Sequence, residues 1–365
     1  MCPRGAHGGP FDPVRRQAEP RIPDPPARVN PPRSVGTRSA QRDSRTPAGS
    51  AGGSVVVGAA VDVGSNSVHL LAAVVRGHRL QPLVDESVFL GLGAAVEARG
   101  ELGGPLREAL AEQLAQYAEA ARQLNAGVIT FVGTDPFRRA SDAVESANQI
   151  LAASRIPLQI VSPEDEALLT LIGVTSGKPV LRETLVVDIG GGSSEFLDVA
   201  AGHEPIAAGL PLGSARLTRA IVQHDPPTPG ELDRLLMEAR SIVAGAPTAT
   251  PAEIVLVGGT ASNLLRVLPE SVLDRSLTRR RIASVLAVLA TETIDVAAAH
   301  HGIRPERARI LPAGAAIVAA IMERYGVNRV HVSEAGIREG AVLASVHAGA
   351  DWPAGLAWLA HGWTR

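Results

Sequence analysis

The chain has 365 residues, 45% of them hydrophobic and 20% charged, a length and balance that suit two ordinary globular domains. Its net charge of −2 excludes a global electrostatic footprint for nucleic acid, and no apolar run approaches the ~20 residues that span a bilayer. Cys2 is the lone cysteine, which excludes internal disulfides and cysteine-cluster zinc sites; with no apolar secretion segment at the N-terminus, a cytoplasmic enzyme without nucleic-acid or membrane partners is expected.

Residues 1–54 carry 10 of the 27 prolines and nine arginines against four acids, a net of +5 that leaves −7 for the remainder. Such a stretch buries too little apolar surface to offset the entropy of ordering. It reads as a disordered tail, either the product of a mis-assigned start or a basic, anion-attracting arm. From Val55 the pattern alternates between strand and helix. Segments 55–63 and 69–75 read as strands around Asp62-Val63-Gly64-Ser65-Asn66-Ser67. A helix is expected over 105–124 from its i, i+3/4, i+7 apolar spacing, then a strand over 127–132. Ser141 reads as the N-cap of a helix to about Ala153, and 158–161 as a strand. Ser162-Pro163-Glu164 opens another helix, with proline at its first position and acids in its first turn.

The second half repeats this grammar. Strands over 184–188 and 195–199 flank Asp188-Ile189-Gly190-Gly191-Gly192-Ser193-Ser194-Glu195. Helices over 214–224 and 228–244 follow, then a strand over 253–257 that feeds Gly258-Gly259-Thr260. The rest reads as helical over 278–299, 313–325 and 337–347, with one strand over 328–332. A repeated strand–glycine loop–strand unit predicts duplicated α/β domains facing a cleft.

Glycine lets a backbone turn tightly and present its N–H groups, which can cradle phosphate oxygens. An aspartate at the strand end, Asp62 or Asp188, can hold a divalent cation directly or through water. A lone Asp-x-Gly is as readily a plain hairpin; two copies, one with three consecutive glycines, point to a phosphate chain gripped from two sides. Glu164 and Asp165 suit a helix N-terminus. Glu166, if its helix lines the cleft, is an unfavourable neighbour for a merely bound phosphate but a suitable acceptor for a proton from water. One of Arg138 and Arg139 is placed to reach a phosphate, and spacing alone does not choose between them. Gly258-Gly259-Thr260 lies at a strand–helix junction where N–H groups bind anions, and Gly213-Ser214-Ala215-Arg216 is a further candidate, with Ser214 as a plain N-cap the alternative. The ten histidines show no metal-ligand spacing, and Lys178 is the sole lysine, so a phosphate clamp here uses guanidinium groups.

These motifs resemble the exopolyphosphatase / guanosine pentaphosphate phosphohydrolase (Ppx/GppA) family, a branch of the actin-like ATPase and sugar kinase superfamily. Asp62 through Leu71 is similar to its first phosphate loop and Asp188 through Glu195 to its second. Thr134 through Ala140 is similar to its Thr-x-x-x-Arg-x-Ala segment, which selects Arg138. Glu164-Asp165-Glu166-Ala167, Leu210 through Leu217, Gly258 through Leu264 and Ser333 through Gly340 follow in family order. The resemblance implies an α/β protein of two actin-like (ribonuclease H-like) lobes around a central cleft. It places domain I over 55–165, domain II over 166–341 and a C-terminal helical segment over 342–365. It implies hydrolysis of a terminal phosphoanhydride bond of polyphosphate or guanosine pentaphosphate, a stringent-response substrate, by a cytoplasmic homodimer. Glu166 would be the base for water; Asp188 and Glu195 would orient water and Mg²⁺ (or Mn²⁺), with Asp62 helping at the metal. Gly64, Ser65, Asn66, Ser67, Arg138, Gly190, Gly191, Gly192 and Ser193 would hold phosphates, joined by Gly213, Ser214, Gly259 and Thr260.

Asp165 stands where the family carries glutamate, and Glu334 where it carries aspartate. About 25 residues follow Gly340, so the chain resembles the family's short form, without the additional helical domain of longer members. An ATP phosphotransferase on the same fold and a non-catalytic polyphosphate or alarmone sensor are the competing readings. Glu166 weighs against the first, and its combination with Asp188 and Glu195 against the second.

Overall fold

The computed structural model describes residues 55–201 and 203–362; the expected tail over 1–54 lies outside the described residues. Two mixed sheets organise them. The first has the order β3-β2-β1-β4-β5, from strands β1 (Val56–Val63), β2 (Ser67–Arg76), β3 (Arg79–Phe89), β4 (Val128–Gly133) and β5 (Leu158–Ile160). The second has β6 (Thr184–Ile189), β7 (Ser194–Val199), β8 (Ile206–Leu210), β9 (Glu253–Val257), β10 (Ser276–Thr278) and β11 (Arg329–Val332), in the order β10-β11-β9-β6-β7-β8. In each sheet a three-stranded antiparallel meander, β1–β3 or β6–β8, continues through its first strand into parallel neighbours. The expected duplication is therefore visible in the topology, with β10 as an added antiparallel edge in the second lobe.

Central strands β1 and β6 are nearly continuous apolar runs because helices cover both faces. One core fills the first lobe around Leu70, Leu110, Leu114 and Phe131; a second fills the other around Phe196, Leu256, Leu264 and Ile317. A third joins them through helices Pro163–Thr175, Ile337–Ala348 and Trp352–Ala360, with Leu169, Val186, Val257 and Leu343 packed together. The last part of the chain thus returns to the first sheet, where the Trp352 indole N–H donates to Thr130 Oγ1 at 3.2 Å.

Local differences from the sequence expectations have physical causes. Helix Ala143–Ser154 has Asp142, not Ser141, as its N-cap residue, and the Asp142 carboxylate accepts instead from the N–H groups of Leu102 and Gly103, both at 2.9 Å. The helix expected over 278–299 is two, Arg279–Leu289 and Ile294–His301, each begun by a threonine that caps it. The helix expected over 214–224 stops at Ile221. Strand β3 was not anticipated: it is an exposed edge interrupted by Pro82, beside a register shift at Ala72/Ala73.

Candidate functional site

The two glycine loops are the tips of matched hairpins. The N–H of Gly64 donates to the carbonyl of Ser67 at 3.2 Å, and that of Gly190 to Ser193 at 3.0 Å. Asp62 lies opposite His69 across the first hairpin, and Asp188 opposite Glu195 across the second. The plain-hairpin geometry and the acidic strand end therefore coexist, and His69 occupies in the first lobe the rung that Glu195 occupies in the second. Gly258, in the left-handed region at φ +89°, starts the helix Gly258–Val267; a Cβ there would meet Asp188 Oδ1 at 2.5 Å, so only glycine lets this turn pass the carboxylate.

Glu166 stands in the first turn of helix Pro163–Thr175, which Ser162 caps by accepting from the Asp165 N–H. The structure gathers Glu166 with Asp62, Asp188 and Glu195. Glu166 and Glu195 are almost wholly buried, and Arg138 reaches both: Nη1 donates to Glu166 Oε2 at 2.7 Å, and Nη2 lies 3.7 Å from Glu195 Oε1. Arg138 is fixed in turn by donation to the Val161 carbonyl at 3.0 Å. Asp188 Oδ2 accepts from Thr170 Oγ1 at 3.5 Å.

One guanidinium does not balance four carboxylates. Burial, then the charge of Asp188, pushes Asp62 up to about 7. Burial pushes Asp188 up to about 6, against the Thr170 hydrogen bond and Arg338. Burial pushes Glu166 up to about 8, with Arg138 pulling the other way and Asp188 and Asp62 adding to the rise. Glu195 is raised well above the usual carboxylate range by burial and by Glu166. His69 is pushed down to about 3 by burial and by Arg338, Arg307 and Arg304, so it is a neutral imidazole beside the acids.

Two buried oxygens in this group, Asp62 Oδ1 and Glu195 Oε1, accept no hydrogen bond. Among the described residues no three His, Cys, Asp or Glu side chains are gathered tightly enough to cage a metal alone. That donor set fits magnesium, which takes one or two carboxylates and completes its shell with waters and substrate phosphates.

The phosphate-loop residues divide between the cleft and its supports. Asn66 lies against Gly191, where a Cβ would meet its side chain at 2.3 Å, so the two loop tips touch across the lobes. Ser65 Oγ donates to Asp135 Oδ2 at 3.2 Å; Ser67 Oγ accepts from Arg307 at 2.9 Å. Ser193, two residues before Glu195, works against the rise in that carboxylate's proton affinity. Gly213 packs under Gly191, and the next three residues donate their N–H groups to the Gly190 and Gly191 carbonyls at 3.0 Å. Ser214 and Thr260 are fully buried with their hydroxyls 3.0 Å apart, bracing the second loop, while Gly259 packs on the Arg307 guanidinium. Asp135, Arg139, Arg216 and Glu97 form an ion-pair network between the lobes, and Arg338 pairs with Asp85 of β3. Sequence reasoning had not singled out Asp135, His69, Glu97 or Arg307: each gains meaning only where remote segments meet.

Residues 70–348 match the model of the Ppx/GppA phosphatase family. The chain is similar to Exopolyphosphatase 1 of Mycobacterium leprae, 27% identical over 306 residues that span 80% of this chain and 90% of that one. It is also similar to guanosine-5'-triphosphate,3'-diphosphate pyrophosphatase of Vibrio cholerae, 28% identical over 301 residues, 79% of this chain and 59% of that one. In fold it is similar to the Aquifex aeolicus Ppx/GppA family member, with a TM-score of 0.71 at 24% identity over 81% of this chain and 99% of that one. An exopolyphosphatase from Cytophaga hutchinsonii superposes with a TM-score of 0.72 at 20% identity, over 80% and 98% of the two chains.

Proposed function

This chain belongs to the Ppx/GppA phosphatase family, and on that footing we propose that it removes terminal phosphoryl groups from inorganic polyphosphate, guanosine pentaphosphate, or both, with water as the acceptor. The observation that carries this reading is Glu166: a buried carboxylate on a helix packed against the second glycine hairpin, within electrostatic reach of Asp188 there and of Asp62 on the first, with burial raising its proton affinity. Such a group accepts a proton more readily than an exposed glutamate.

In this mechanism Glu166 takes a proton from a water that attacks the terminal phosphorus. The bond from phosphorus to the bridging oxygen breaks, and the shortened chain leaves as an anion. The loop-tip N–H groups of Ser65, Asn66, Gly191 and Gly192 would offset charge on the non-bridging oxygens, while those of Gly64 and Gly190 close the two turns, and Arg138, which holds Glu166, would share in that task. A divalent cation, Mg²⁺ or Mn²⁺, would be held among Asp62, Asp188 and Glu195, by one or two of them directly and by the rest through water, and would neutralise charge developing on phosphate oxygens. Ser214 and Thr260 keep the second loop in shape, and Gly213 and Gly259 give it and Arg307 room. The lobe division we carry forward is domain I over 55–165 and domain II over 166–341, with a homodimer in the cytoplasm as the expected working form. No helix among the described residues is long and apolar enough to cross a membrane.

The test is phosphate release measured side by side on polyphosphates of graded length, guanosine pentaphosphate and ATP, with and without Mg²⁺. Metal-dependent release from polyphosphate or guanosine pentaphosphate is expected. Phosphoryl transfer from ATP to an alcohol acceptor in its place would overturn the reading.

A further inference from the structure

Asp135 is an anion held among groups that recognise anions. It opens the short helix Asp135–Arg139 of the first lobe and is only 8% exposed. Its carboxylate accepts from Ser65 Oγ at 3.2 Å, Arg139 Nε at 3.0 Å and Arg139 Nη2 at 2.8 Å. Arg216 of the second lobe brings Nη2 within 3.6 Å of it. Its Oδ2 sits so close to the second glycine loop that a Cβ on Gly192 would meet it at 2.3 Å. Arg216 also donates Nε to the Gly192 carbonyl at 2.8 Å, and Glu97 contacts Arg139 at 3.0 Å and Arg216 at 3.5 Å. A hydroxyl of one glycine hairpin, the turn of the other and two guanidinium forks thus converge on one internal carboxylate. The Glu166 group uses none of them: its guanidinium is Arg138.

We propose that Ser65, Arg139, Arg216 and the Gly192 turn form a subsite for a non-scissile phosphoryl group, and that Asp135 is a built-in competitor for it. The proposal rests on the phosphoanhydride-hydrolase reading above and adds a determinant of substrate affinity to it. Planar guanidinium groups bind a phosphoryl group bidentately, as they bind a carboxylate. A substrate phosphate entering between the loops displaces Asp135 from the two arginines or binds beside a fixed like charge, and both routes weaken binding. Asparagine at 135 keeps the shape and the Ser65 hydrogen bond and removes the charge. Glu97, at the rim, still orients both arginines in that variant.

The test uses the full chain with inorganic tripolyphosphate as the probe. Its Kd by calorimetry without divalent metal, and KM and kcat for phosphate release with Mg²⁺, are measured for the parent, Asp135→Asn and Asp135→Ser. Kd and KM are expected to fall about fivefold to tenfold in the variants while kcat stays within about twofold, the pattern of altered uniform binding. Should one variant fail to fold, the other decides. Unchanged or weakened binding, or loss of folding in both variants, would overturn the proposal and make Asp135 a strut that sets Arg139 and Arg216. The parent's activity speaks separately to the hydrolase reading: no phosphate release from it would refute that reading, while the ratio of Kd values still decides the subsite.

Discussion

At the scale of single residues, the site is an excess of buried negative charge. Asp62, Asp188, Glu166 and Glu195 all bind protons more tightly in the fold than in the unfolded chain, so each makes the fold less stable as pH rises through its raised range. His69 acts with the opposite sign: the unfolded chain takes up its proton below 6.5 and the fold does not, so its contribution improves with pH up to that value. Arg138, Arg338 and Arg307 temper the acids without cancelling them. Between pH 6.5 and about 8, then, of these five groups it is the acids that still favour the protonated fold. The melting temperature of metal-free protein is expected to fall across that window, and Mg²⁺ is expected to raise it more at the upper end, where it competes with fewer protons. Scanning calorimetry at both pH values, with and without the cation, checks this. A flat or rising profile, or a larger cation effect at the lower pH, would contradict the charge assignment.

At the scale of elements, the position of Glu166 depends on how closely two helices cross. Helices Pro163–Thr175 and Ile337–Ala348 touch backbone to backbone: a Cβ on Gly340 would meet the Leu169 carbonyl oxygen at 1.8 Å, and one on Gly173 would meet that of Gly336 at 2.0 Å. No side chain fits, and these are backbone atoms that cannot swing aside. Gly340→Ala is expected to push the helices apart and to cost about 1–3 kcal/mol of stability, the usual range for overpacking. Urea denaturation reads the stability, and phosphate release by the folded variant reads the displacement of Glu166, one turn before Leu169. Parent-like stability and activity would show that the crossing is not the constraint.

For the whole molecule, local chemistry was legible and encounters between remote segments were not. Asp62-x-Gly64 and Asp188-x-Gly190 announce strand ends and turns by their own residues, and those strands are central in both sheets. Ser162-Pro163 announces the helix that carries Glu166. Strand β3 hides because an exposed edge needs no apolar alternation, and β8 because Ile206–Leu210 is short and rich in alanine and glycine. Arg307 and Asp135 look like surface charges in their own segments. Only the approach of the lobes sets Arg307 against Ser67 and Asp135 against Gly192. The central claim, water activated at Glu166, is tested most directly by Glu166→Gln in the full chain. Phosphate release from tripolyphosphate is expected to fall by about 10²–10⁴, the span of general-base catalysis, with its calorimetric Kd within about threefold of the parent. Release at the parent's rate would contradict the account.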